Sequence, residues 1–320
     1  MAGGLHADVT LPHEQEFELY HNALSLCSKK VRVCLAELGI PYASRHVDLI
    51  ETGSYENIGR RFLAVNPAGL LPVLVHRGHP VYESHEQIRY AAAHAPAGAP
   101  ALVPTDPVLA AEMERWVEHT SLIGDDPTKA SRESAGGAVP GLTVPLFAAM
   151  IEDIPARRIV EGLLFHRLKT RPLAFMVLKG RGLRGLAQLQ PAVRMVQRSI
   201  RDMGDHLDVL ESALRARGGP WILGGALSLA DVSWVPILER LVEADAMHVF
   251  LGDGRRRAVQ AYWDRLRARS SYAAAVGAHA HPAVARGTAR IREAKAADPA
   301  LRRALETPAE PDRRRNAHAA

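Results

Sequence analysis

Cysteine is almost absent from this chain, with two in 320 residues, Cys27 and Cys34. That excludes a disulfide framework and fits a reducing compartment. Long apolar runs are missing too. The longest near the middle, Val139 to Ile151, is broken by Pro140, Gly141 and Pro145 and is too short to span a bilayer. Met1 to Gln15 lacks a positive segment followed by an apolar core, so no signal peptide is read and a cytoplasmic protein is expected. The 15 histidines show no HExxH spacing, and neither GxGxxG nor a phosphate loop occurs. Neither sign of charge dominates. The net charge is +5, and the Arg255-Arg256-Arg257 and Arg313-Arg314-Arg315 clusters stand in loop or tail context without interleaved aromatics. They read as solvated surface, not as a nucleic-acid site.

What is present is an ordinary globular composition, 47% hydrophobic and 23% charged. A chain of this length buries a large core and is expected to form two domains. The stretch around which the first is organised runs from Glu18 to Arg32. An apolar strand, Phe17 to Tyr20, enters a polar loop that ends at Cys27, in the first turn of a helix. Val31, Leu35 and Leu38 give that helix an apolar face, and Gly39 and Pro41 stop it. A thiol at a helix N-terminus meets unpaired N–H groups and the positive end of the macrodipole, and Lys29, Lys30 and Arg32 add cations nearby. These effects favour the thiolate, so Cys27 is a candidate nucleophile expected to ionise more readily than a free cysteine. The other reading is a small hydrophobe packed under the loop. Ser25 is the second candidate, either as a donor to a bound thiolate or as a capping hydroxyl. Cys34, two turns on, reads as core.

Further strands follow at Tyr42 to Asp48, Val73 to Val75 and Pro80 to Tyr82. The last is expected at a sheet edge because of its proline. Tyr55 to Ala64 reads as a short helix. Asn66-Pro67 and Ala68-Gly69 are turn signals. Pro72 opens a strand, either through a cis Leu71–Pro72 bond that turns the Leu71 backbone outward or as an ordinary trans proline. Ser84 is expected as an N-cap, with Gln87 completing a capping box.

The order of elements and three motifs resemble the thioredoxin-like domain of the glutathione transferase superfamily. The motifs are Ser25-Leu26-Cys27-Ser28 with Lys30-Val31-Arg32, Asn66-Pro67 with Leu71-Pro72-Val73-Leu74, and Glu83-Ser84. The first is most similar to tetrachlorohydroquinone reductive dehalogenases. It also resembles the ganglioside-induced differentiation-associated proteins, which lack a matching cysteine. The resemblance implies that glutathione is the cosubstrate, with its sulfur facing Ser25 or Cys27. It implies that the Leu71 backbone, before a cis Pro72, pairs with the cysteinyl part, and that Glu83 and Ser84 hold the γ-glutamyl end. A helix start with a hydroxyl suits a carboxylate and an acid suits an ammonium, although plain helix capping explains the same pair.

Ala95 to Pro100 reads as a linker. Asp106 caps a helix with Pro107 at its first position, and Leu109, Met113, Trp116 and Thr120 follow at helical spacing. Residues 124–190, interrupted by Gly and Pro and rich in Lys and Arg, are expected as an insertion. They either cover the active-site cleft or an acidic partner surface, or form a loose excursion. From Pro191, Val193, Val196, Ile200, Met203, Leu207, Leu210 and Leu214 mark one long helix. Ser228 and Asp231 form a capping box before an apolar helix, and this segment resembles the transferase C-terminal domain through Tyr262, Trp263 and Leu266.

The fold class expected is therefore an α/β thioredoxin-like N-terminal domain followed by an all-α C-terminal domain. The boundaries are a flexible leader over 1–15, the glutathione-binding domain over 16–95, the helical domain over 106–280, and a helical extension with a disordered tail over 281–320. The function expected is a cysteine-type glutathione transferase acting on a hydrophobic electrophile, seated against Trp116 and the insertion, through chemistry like that of a reductive dehalogenase. The resemblance implies a homodimer. A glutathione-binding module without turnover is the alternative, motivated by the insertion and the basic tail. A glutaredoxin-like oxidoreductase is disfavoured because Lys30 stands where a second cysteine would be needed.

Overall fold

The computed structural model describes residues 3–122 and 133–310. Five strands form one sheet: β1 (Gly4–Leu5), β2 (Phe17–His21), β3 (Ala43–His46), β4 (Val73–His76) and β5 (His79–Tyr82), in the order β1-β5-β4-β2-β3. β2 and β3 are parallel, joined through α1 (Leu26–Leu38), while β4 and β5 run antiparallel. Two 3-10 turns and α2 (Arg60–Leu63) link β3 to β4, and α3 (Ser84–Ala93) follows β5. The leader is not free. Within it, β1 pairs with β5, His6 N–H donates to Pro80 C=O at 2.9 Å, and Leu11 is buried. The strand holding Pro80 is therefore interior, and β1 takes the edge. Proline is tolerated there because its neighbour strand needs only its carbonyl.

One face of the sheet carries α2 over a small cluster of Phe62, Val65, Val73 and Tyr82. The other face carries α1 and α3, and a helical domain packs onto these two helices in turn. α1 is thus sandwiched, and 11 of its 13 residues are buried, three of them cations. The helical domain comprises α4 (Pro107–His119), α5 (Ala135–Ile151), α6 (Ala156–Phe165), α7 (Thr170–Arg181), α8 (Gln190–Arg217) and α9 (Leu229–Glu243). After them come α10 (Met247–Leu251), α11 (Arg257–Arg267), α12 (Ser270–Ala275), α13 (Pro282–Ala297) and α14 (Pro299–Glu306). All seven seam residues of α8 are buried, and Gly218, with φ of 62°, ends the helix. α5 lies against α8 at Gly141, where a Cβ would come within 2.9 Å of the Met195 carbonyl oxygen.

The described part of the insertion is helical. α6 and α7 pack on each other and onto the 3-10 turns after β3. A Cβ on Gly162 would lie 2.5 Å from the Tyr55 ring, and Arg171 pairs with the buried Glu51 carboxylate. Residues 123–132 of the insertion, 311–320 of the tail and the first two of the leader lie outside the described residues. Among the described residues, no helix is long and apolar enough to cross a membrane.

Candidate active site

The loop before α1 is built by side-chain-to-backbone bonds. Asn22 Nδ2 donates to Val47 C=O at 3.0 Å and to Thr52 Oγ1 at 3.0 Å, and its Oδ1 accepts from Leu24 N–H at 2.9 Å. Ser25 is the N-cap of α1, its Oγ accepting from Ser28 N–H at 3.2 Å. That leaves its own O–H free to donate outward. Cys27 is the second residue of the helix and is partly exposed. Cys34 is fully buried, and burial pushes its thiol well above the ordinary range.

The three cations near Cys27 have separate fates. Lys29 turns into the domain interface and pairs with Glu243, which also receives Arg240 Nε at 2.8 Å. Burial pushes the Glu243 carboxyl up, but Lys29 and Arg240 more than offset this and keep it ionised. Arg32 donates to Ala275 C=O at 2.7 Å and to Asn22 C=O at 3.0 Å. Neither serves the thiol, contrary to the reading of a basic helix start. An α1 sandwiched between sheet and helical domain has to neutralise its cations internally.

Lys30 differs. One helical turn past Cys27, it is 1% exposed and makes one hydrogen bond, from Nζ to Ser121 Oγ at 3.2 Å. Burial lowers its pKa to about 8, and a thiolate at Cys27 is the charge that favours its ammonium form. Arg89 opposes it. Lys30 therefore places a buried cation on the same face of α1 as the Cys27 sulfur. His85, in the first turn of α3, is pressed down by burial and by the Lys30 charge, and so stays neutral. Ser121 and His85 were not singled out from sequence, and Lys30 was grouped with Lys29 and Arg32 without being distinguished from them. The signal available was the Cys-x-x-Lys spacing, which sets the two side chains on one face of α1.

The other site residues gather at the start of α3. Leu71–Pro72 is a cis peptide. The N–H and C=O of Leu71 make no hydrogen bond with any described residue, although the residue is partly buried beside β4. Gln87 does not cap α3. Its Nε2 reaches into the sheet, donating to Pro72 C=O at 2.9 Å and to Val81 C=O at 2.8 Å. The N-cap is Glu83, whose φ of 66° lies in the left-handed region that a non-glycine residue seldom adopts. Ser84 is the first residue of the helix, and its hydroxyl has no partner among the described residues. A peptide would find two unpaired backbone groups at Leu71, and a free carboxylate of that peptide would find a hydroxyl with unpaired helix-start N–H groups at Ser84. The donor set fits glutathione.

Trp116 is not a platform. It is packed against Trp234, ring centroids 6.3 Å apart, and against His119. Asp231 is structural as read. It accepts from Ser228 N–H at 2.8 Å, Ile222 N–H at 3.0 Å and Tyr262 O–H at 3.0 Å.

Comparison with known proteins agrees with this geometry. Residues 24–94 match the family model "Glutathione S-transferase, N-terminal domain", and residues 196–276 match "Glutathione S-transferase, C-terminal domain". Glutathione S-transferase TCHQD of Arabidopsis thaliana is 26% identical over 278 residues, covering 81% of this chain and 89% of that protein. A 2,5-dichlorohydroquinone reductive dechlorinase of Sphingobium indicum is 24% identical over 299 residues, covering 81% of each. The crystal structure of the beta-etherase LigF from Sphingobium sp. strain SYK-6 superposes with a TM-score of 0.65 at 21% identity, covering 83% of this chain and 98% of that one.

Proposed function

We propose that this chain, which by its two matched domains belongs to the glutathione S-transferase superfamily, is a glutathione transferase of the cysteine type. The observation that carries the proposal is the buried Lys30 ammonium one turn from a partly exposed Cys27 at a helix N-terminus. Glutathione lies along Leu71 before cis Pro72, with its γ-glutamyl end at Glu83 and Ser84 and its sulfur toward Ser25 and Cys27. The glutathione-binding domain runs from the edge strand at Gly4–Leu5 to residue 95, and residues 106–306 form the helical domain of a homodimer.

The electrophile is hydrophobic, and relatives named as dechlorinase and dehalogenase motivate a halogenated quinol-derived ring. The glutathione thiolate displaces halide and forms an aryl thioether. Cys27 thiolate attacks the glutathionyl sulfur. The ring carbon keeps the electron pair of the broken C–S bond and takes a proton, and a Cys27–glutathione disulfide forms. A second glutathione thiolate then releases Cys27 and leaves as glutathione disulfide. Two thiols are oxidised and one ring carbon is reduced, so the cycle balances.

Cys27→Ser is expected to keep glutathione affinity, lose the reduced product and accumulate the aryl thioether, read by chromatography. Full turnover in Cys27→Ser with loss in Ser25→Ala would move the chemistry to Ser25. Saturable glutathione binding with no turnover on any electrophile would instead identify a binding module. Sedimentation tests the dimer.

A further inference from the structure

Among the described residues, eleven large hydrophobic side chains are exposed, and six of them lie between positions 160 and 177. On α7, Pro172, Phe175 and Leu178 are buried against the protein. Leu173, Met176 and Val177, spaced three and four apart on the other side of the helix, are 40–52% exposed. On α6, Ile159 and Gly162 are buried, while Val160, Leu164 and Phe165 are 44–70% exposed. Both helices are therefore apolar on the side that faces the protein and again on the side that faces out. A solvated face has no use for the second stripe.

The same segment is strongly basic. Residues 156–184 contain eight Lys and Arg against one Glu, an excess larger than the +5 of the whole chain. Arg157, Arg181 and Arg184 are exposed and form no ion pair with any described residue. At 10 and 12 residues, α6 and α7 are too short to span a bilayer. Paired amphipathic helices with an outer apolar stripe rimmed by cations have the chemistry of a surface that lies in an anionic lipid interface. A second copy of the chain is a poor occupant. A two-fold contact through this patch would set one basic rim against the other.

We infer that the α6–α7 hairpin docks this protein peripherally on an anionic lipid bilayer, with Leu164, Phe165, Leu173 and Val177 inserted and Arg157, Arg181 and Arg184 facing the headgroups. The inference rests on surface chemistry alone and stands apart from the proposed thiol chemistry. Its test is co-sedimentation of the full chain with phosphatidylcholine vesicles with and without phosphatidylserine. Binding is expected only with phosphatidylserine and should weaken on adding salt. Leu164→Ser/Phe165→Ser and Leu173→Ser/Val177→Ser, at sites already exposed, should each reduce binding about tenfold or more without changing the circular dichroism spectrum or the melting temperature. Arg157→Ser/Arg181→Ser/Arg184→Ser should do the same. Absence of vesicle binding, equal binding to neutral vesicles, or unchanged binding in these variants overturns the inference. So does a concentration-dependent self-association that Leu164→Ser/Phe165→Ser abolishes, which would mean that a second copy covers the patch.

Discussion

Replacing Lys30 with methionine separates a functional lysine from a structural one, because the two predict opposite signs. The side chain is fully enclosed, with one hydrogen bond to Ser121, and burial has moved its pKa from 10.5 to about 8. The folded value lies below the unfolded one, so the unfolded chain binds the proton more tightly. Stability from this group is missing below pH 8 and recovered as pH rises from 8 toward 10.5. A displacement of that size corresponds to about 3 kcal/mol held against the fold at neutral pH. Methionine fills the same volume without the charge. After allowing about 1 kcal/mol for the lost hydrogen bond, Lys30→Met is expected to stabilise the protein by about 2 kcal/mol at pH 7. For a chain this long, that is a melting temperature higher by roughly 3 °C.

The same substitution should impair the thiol. With the buried cation on the Cys27 face of α1 gone, alkylation of Cys27 by iodoacetamide at pH 7 should slow. The buried Cys34, its thiol pushed up by burial, supplies no competing signal. Calorimetry and alkylation on one preparation therefore read both halves. A variant that melts lower while its Cys27 reacts at the native rate would refute the reasoning and make Lys30 a packing residue.

Three further outcomes follow from the geometry. His21 is buried, with Nε2 2.7 Å from Ser44 Oγ and Nδ1 3.1 Å from Arg32 Nη1. Arginine only donates, so Nδ1 must accept and the ring is neutral. Burial, then Arg32, lowers its pKa to about 2. Stability is therefore lost as pH falls below about 6.5, by about 1.4 kcal/mol per unit from this group. Denaturant titrations of His21→Gln should show a slope shallower by that amount. Arg171→Ala leaves the buried Glu51 carboxylate without its partner, one of its oxygens already being unsatisfied, and should cost about 3 kcal/mol in urea unfolding. Gln87→Leu frees the Pro72 and Val81 carbonyls from their shared tether, and should weaken glutathione binding about tenfold by calorimetry with little change in alkylation of Cys27.

Local features were legible because local chemistry fixes them. The strand from Phe17, the cap at Asp106, the seam of α8 and the box at Ser228 and Asp231 depend on neighbours within a few residues. So did the order of motifs behind the fold. What failed depended on distant partners. Pro80 looked like an edge marker because nothing in sequence announces that Gly4 and Leu5 will pair outside it. Ser84 and Gln87 have capping-box spacing, but the Pro72 carbonyl offers Gln87 Nε2 a buried acceptor that the helix end cannot match. The insertion looked broken because glycine and proline interrupt it. Gly162 is there so that α6 can lie on Tyr55, a close-approach requirement that reads in sequence as a helix breaker.

The misreading of Lys29 and Arg32 bears directly on the site. Three cations within four residues of sequence look like one electrostatic device around Cys27. Yet helical spacing spreads them around α1, and each face meets a different wall. Lys29 meets Glu243 of α9, Arg32 meets the end of α12, and only Lys30 shares the face of the thiol. Its one hydrogen-bond acceptor, Ser121, follows α4 and belongs to the helical domain. The field at Cys27 is therefore assembled across the domain boundary. The α/β domain supplies the helix end, the sulfur and the amine, and the helical domain supplies the burial that makes the amine's charge count. A thioredoxin-like domain cut free at residue 95 would expose Lys30 to water, and screening would reduce its effect on the thiol to a small fraction.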